Sequence, residues 1–174
     1  VKVPTVVKIA KKYWKEVRTR DKTEIFSLCE ELYKSGYCEE AFVVSTWVAL
    51  LSKRFEPSDI HTLRHFIDRY ITNCAACDGF CNHAVGEFIE KYPVHVEDLK
   101  EWTKSENRWM RRAAAVTLIV PAKHGKFLDD VLEIADLLLT DNDDMVQKGY
   151  GWMLKEASRQ HPQEVFGYVM RNKN

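Results

Sequence analysis

Apolar residues recur along this chain at intervals of three and four, the spacing that gathers them on one face of an α-helix. No stretch alternates apolar and polar as a half-buried strand would. The first run covers residues 4–18, with Val6, Val7, Ala10, Tyr13, Trp14 and Val17 in register. Asp21 and Glu24 read as a capping box opening a second helix, which Gly36 stops. A third covers about 38–54, and Pro57 or Ser58 opens a fourth ending near Ile71. Asn73 caps a fifth over about 74–91, closed by Pro93, and a short sixth covers 97–104. Asn107 caps a seventh reaching Val120, where Pro121 and Gly125 mark its end. The eighth spans about 127–139, the acids at 141–144 cap a ninth that reaches Arg159, and His161-Pro162 starts a tenth.

Pairing these helices exposes a period. The odd-numbered ones begin near 4, 38, 73, 107 and 143, spacings of about 34 to 36 residues. A two-helix unit of that length, stacked repeatedly, is an α-solenoid. The expected fold is therefore all-α, an α-solenoid of about five antiparallel helix pairs, in one domain over residues 1–174. The abrupt start at Val1 and finish at Asn174 suggest a domain incomplete at one or both ends. The period also aligns chemistry. Asp78, Arg112 and Lys148 stand at the same early-turn position of three successive odd-numbered helices, and Trp152 follows Lys148 by one turn. Stacking would bring an acid, two cations and an indole to one face, a plausible site for phosphate and sugar.

Composition narrows what that face can do. Lys plus Arg (26) equals Asp plus Glu (26), so a nucleic-acid surface must be a one-sided patch on a neutral protein. Lys8, Lys11, Lys12 and Lys15 form a basic face on the first helix, either merely solvated or able to track a phosphate backbone. No apolar run approaches the roughly 20 residues that span a bilayer. Five cysteines make a poor disulfide framework and suit reduced thiols in a cytoplasmic protein. Cys74, Cys77 and Cys81, with His83 nearby, hold zinc-ligand residue types, yet one regular helix rarely closes a tetrahedron. The stripe reads better as small residues where helices approach closely, with Cys74 lining the site and no metal bound.

Three segments carry a resemblance. They are Cys77-Asp78-Gly79-Phe80-Cys81 leading to Val85-Gly86, then Ser105 to Ala114 around Trp109-Met110-Arg111-Arg112, then Val146 to Glu156 around Lys148-Gly149-Tyr150-Gly151-Trp152. In this order and spacing they make the chain similar to the AlkD-like DNA alkylation repair glycosylases, which are built from HEAT-like helical repeats. The likeness runs from about Pro4 to Arg171. It implies that Asp78 is the catalytic aspartate, Arg112 an active-site arginine, and Trp152 an aromatic packed against the damaged nucleotide. Many members carry a second site tryptophan in the turn before the aspartate; this chain has Cys74 there, which removes half of an aromatic clamp.

The chemistry fits a lone carboxylate. Breaking an N-glycosidic bond develops positive charge at the anomeric carbon, and an aspartate can stabilise that charge or orient the attacking water. A purine alkylated at N3 or N7 is already cationic and leaves without a second acid to protonate it. Arg112 and Lys148 would hold phosphate, and Trp152 would offer a π face worth about 1–2 kcal/mol to a cationic base. The resemblance implies a monofunctional glycosylase, a hydrolase of base excision repair acting as a monomer on double-stranded DNA with alkylated bases. It needs no cofactor, and no lysine stands as a Schiff-base nucleophile. Two rivals remain: a non-catalytic HEAT-like module that recognises damaged or distorted DNA, motivated by Cys74, and a protein-binding scaffold. Base release separates the first from the second, and salt-sensitive DNA affinity separates both from the third.

Overall fold

In the computed structural model, which describes residues 1–173, the helices begin where the capping residues stand. The Asp21 N–H donates to the Glu24 carboxylate at 3.3 Å. Asn73 accepts from the Ala76 N–H at 2.9 Å, Asn107 from Trp109 at 2.9 Å, and Asp143 from Met145 at 2.8 Å. Gly36 and Gly125 take the left-handed φ values, +76° and +80°, that let a chain leave a helix without a Cβ penalty. No strand occurs among the described residues, and the fold is all-α. Helices open at 3, 38, 74, 108 and 144, so the repeat length read from the sequence holds.

Cα packing groups the chain into two compact units, residues 1–88 and 89–174. In the first unit α1 (Val3–Val17), α3 (Cys38–Leu50) and α5 (Cys74–Phe80) lie side by side. Helices α2 (Lys22–Lys34) and α4 (Ile60–Tyr70) pack on each other as a second layer, with α2 against α3. The Trp47 indole N–H donates to the Ala10 carbonyl at 2.9 Å, fixing α3 on α1, and Trp14 lies 6.5 Å from the Trp47 ring. The rings of Phe26, Tyr33, Phe66 and Phe80 meet edge-on between the layers at 5.4 to 6.3 Å. Each such ring contributes about 1.5–3 kcal/mol through removal from water. Lys22 ties the start of α2 to the turn before α4 through Glu56 at 2.6 Å and Asp59 at 2.8 Å.

In the second unit α7 (Val96–Trp102) packs on α10 (Leu128–Leu138), and α8 (Arg108–Val116) on α11 (Asp144–Ala157). The short α9 (Ile119–Lys123) and the last helix, α12 (Pro162–Arg171), also pack on α11. Ala113, Ala114 and Ala115 are wholly buried, and their small side chains let α8 pack closely. Lys100 of α7 reaches Asp130 at 3.0 Å and Glu133 at 2.7 Å on α10, and those carboxylates hold its ammonium charged. Trp47 and Trp102 are buried and Trp14 and Trp109 half-buried, where they pack between helices.

Two elements depart from the sequence expectation. The fifth helix is not continuous: after α5 a π-turn, Cys81–Val85, precedes α6 (Gly86–Lys91), and the Gly86 N–H bonds the Cys81 carbonyl five residues back. The seventh helix breaks at Thr117-Leu118 into α8 and α9. Pro121 explains the position of the break. Its ring carries no N–H for the Thr117 carbonyl and would clash with it, so the helix opens four residues before the proline. It resumes as α9 and ends at Lys123.

Candidate active site

Asp78 is the fifth residue of α5, in the first unit, and its side chain is half-buried. The Asn73 cap fixes where α5 starts, and therefore which residues share the aspartate's face. Cys74, one turn earlier, is exposed, whereas Cys77 and Cys81 are wholly buried. The cysteine stripe thus divides between solvent and core and does not converge on one point. The third buried thiol near it is Cys29 of α2, which burial pushes up to about 12 and so makes inert as a nucleophile. Gly79 meets α3 closely: a Cβ there would lie 3.3 Å from the Phe42 ring. The π-turn follows at once, and such turns recur beside functional sites.

Arg112, Lys148 and Trp152 belong to the second unit. Arg112 is the fifth residue of α8 and only 5% exposed. Its Nη1 donates to the Met145 carbonyl of α11. Gly149 makes room for it, since a Cβ there would lie 3.3 Å from Arg112 Cγ and 3.5 Å from Nη1. The neighbouring Arg111 turns elsewhere, as the 100° step of a helix requires. It donates to Asp141 at 2.6 Å and to the Ser105 and Glu106 carbonyls at 2.9 Å.

Lys148 is exposed and pairs with Asp144 on its own helix at 2.7 Å. Trp152 is half-buried beside the Glu156 carboxylate, which accepts from the Arg159 guanidinium at 2.6 Å. That carboxylate is nearly buried, and Arg159 first, then the indole, hold it below the usual carboxylate range. Met145, Gly149, Trp152 and Glu156 follow one another at helical spacing down a single stripe of α11. The structure therefore brings Arg112 onto the stripe that carries Trp152, and sets Cys74 one turn before Asp78 on α5.

Sequence reasoning missed several parts. Phe42 stands at the fifth position of α3, as Asp78 does of α5, and the same register that singled out the aspartate could have found it. Gly149 reveals its purpose only once Arg112 is seen against it. Glu156 gave no signal, because an acid near a helix end is usually solvated. No helix among the described residues is long and apolar enough to cross a membrane.

Comparisons with known proteins agree with this architecture. The chain is similar to a solved structure described as a predicted DNA alkylation repair enzyme from Enterococcus faecalis, with a TM-score of 0.87 and 19% identity, covering 98% of this chain and 79% of that one. It is also similar to the smu.31 protein of Streptococcus mutans UA159, with a TM-score of 0.72 and 21% identity, covering 97% and 89% of the respective chains. At such identities the likeness establishes a shared fold. No curated protein matches the sequence. The family model described as DNA alkylation repair enzyme, however, matches residues 1–174. The chain belongs to the DNA alkylation repair enzyme family.

Proposed function

We propose that this protein is a monofunctional DNA glycosylase that removes cationic 3-alkyl or 7-alkyl purines, with Asp78 as its catalytic carboxylate. The observation that carries this reading is the half-buried Asp78, held early in α5 by the Asn73 cap with the exposed Cys74 one turn before it, in a chain of this family. A partly desolvated carboxylate beside an open turn suits charge stabilisation better than a fully solvated one. As the C1′–N bond of the damaged nucleotide breaks, its electron pair neutralises the purine cation and positive charge moves to the sugar. Asp78 stabilises that charge, water adds at C1′, and its proton passes to Asp78 or solvent, leaving an abasic site. Lys148, exposed on α11, contacts phosphate, and the half-buried Trp152 presents an indole face to the nucleotide. Arg112 supports the α11 stripe and adds positive charge to it.

The experiment is single-turnover base release from DNA carrying 7-methylguanine or 3-methyladenine. Asp78→Asn keeps shape and hydrogen bonding but removes the charge; losing about 3 kcal/mol of stabilisation slows release roughly a hundredfold. DNA affinity holds or rises slightly, because an acid beside phosphates is gone. Cys74→Trp raises release of lesions that lean on stacking. Equal rates for the parent and Asp78→Asn would overturn the assignment. The second reading, a DNA-binding module without catalysis, is favoured by the small exposed Cys74, and it takes over if neither the parent nor Cys74→Trp releases base.

A further inference from the structure

We infer that the groove between α1, α3 and α5 seats one unstacked nucleobase of the bound DNA, with Phe42 as its stacking platform and Lys11 at the adjoining phosphate. This rests on the DNA-repair reading above and adds a subsite to it, within the first unit. The groove has a volume of about 300 Å³ and is walled by Val7, Phe42 and Thr46 over Gly79, with Lys11 and His83 also lining it. That is the small end of the range for ligand sites, enough for a base or nucleoside and little more.

Phe42 is shaped for this role by its neighbours. Because residue 79 lacks a Cβ, the Phe42 ring edge rests on the α5 backbone, and the side chain stays half-buried rather than closed into the core. It occupies in α3 the register position that Asp78 occupies in α5. A base seated there belongs to a nucleotide flanking the one whose sugar cation Asp78 stabilises.

Charge selects the occupant. Lys8, Lys11, Lys12 and Lys15 are all exposed, and none enters an ion pair among the described residues; Glu16 is the lone acid of α1. A molecule with no net charge thus places a cluster of cations, none in an ion pair among the described residues, along the helix that forms one wall of an apolar, aromatic groove. An apolar peptide would use the walls and leave the lysines idle, and a bare phosphate would have no use for Phe42. A nucleotide uses both, its base on the ring and its phosphate on the ammonium.

The test uses duplexes with 2-aminopurine beside a 7-methylguanine or beside an abasic analogue, and the parent, Phe42→Ala, Phe42→Leu, Phe42→Trp and Lys11→Gln proteins. Parent binding should change the 2-aminopurine emission saturably. Phe42→Ala and Phe42→Leu should weaken binding about tenfold and abolish the change, while Phe42→Trp keeps it. Lys11→Gln should lower the slope of log affinity against log salt by about one contact. Phe42→Leu preserves apolar volume, so it decides the matter if Phe42→Ala fails to fold. Parental affinity and emission in Phe42→Leu, with base release intact, would overturn the subsite and leave the glycosylase reading standing. Phe42-dependent emission in a protein that releases no base would support the subsite and overturn the catalytic reading. A parent that binds no DNA overturns both.

Discussion

Arg112 and Lys148 hold equivalent register positions in α8 and α11, yet their surroundings set them different tasks. Arg112 is almost wholly buried, bonded to the Met145 carbonyl and packed on Gly149. Truncating it removes a charge-assisted bond and empties space between two helices, so Arg112→Ala should cost about 2–3 kcal/mol and lower the melting temperature. Lys148 makes only an exposed pair with Asp144 four residues away, a contact worth a few tenths of a kcal/mol. Lys148→Ala should therefore leave stability nearly unchanged and reduce the salt slope of DNA binding by about one. Thermal melts and a salt titration on the same two variants check this. A parental melting temperature for Arg112→Ala, or a parental slope for Lys148→Ala, would reject the corresponding half.

At the scale of elements, the joint between α8 and α11 depends on the turn that precedes α11. Asp143 caps α11 through the Met145 N–H and also receives the Arg108 guanidinium at 2.7 Å, while Asp141 receives Arg111 at 2.6 Å. One aspartate thus sets both the helix start and its seating on α8. Asp143→Ala should cost about 1–2 kcal/mol, the usual value of a lost cap. Asp143→Asn keeps the capping oxygen and loses the charge, so it should fall between parent and Ala in chemical denaturation. Asn and Ala variants of equal stability would mean that the Arg108 pair, and not the cap, carries the effect. The π-turn after α5 shows the converse, an irregular element that no capping residue announces. A regular helix and one with an inserted residue carry nearly the same apolar pattern over so short a span.

For the whole molecule, acid is the condition that tests the carboxylates of both units together. In the first, the His65 and Tyr70 hydrogen bonds hold Glu30 below its ordinary value. In the second, burial would raise Asp143, but the Met145 N–H and the Arg108 guanidinium outweigh it, and Arg159 lowers Glu156. A carboxyl depressed in the folded state contributes stability that is present above its unfolded value, near 4, and is lost as pH falls through the folded value. The melting temperature should accordingly stay level from neutrality to about pH 5 and drop below about pH 4. Glu30→Gln should begin lower and fall less steeply. A melting temperature that stays level to pH 3 would show that these contacts add nothing. DNA affinity is a separate matter, since the molecule has no net charge and its attraction for phosphate must come from local patches such as α1.

The sequence by itself determined the class, the repeat and the helix starts, because caps, prolines and apolar spacing act over a few residues and leave their signature in order along the chain. Asn73, Asn107 and Asp143 cap helices where their neighbours said they would, and the fifth-residue register of Asp78, Arg112 and Lys148 followed from those starts. Only the tertiary structure decided what each of those positions meets. It buried Arg112 against Gly149, joined Arg159 to the nearly buried Glu156, and laid Phe42 on Gly79. Each of these depends on which face of one helix comes to rest on which face of another. Helical periodicity tells which residues share a face; it carries no record of the residues that a different helix, dozens of positions away, will set against it.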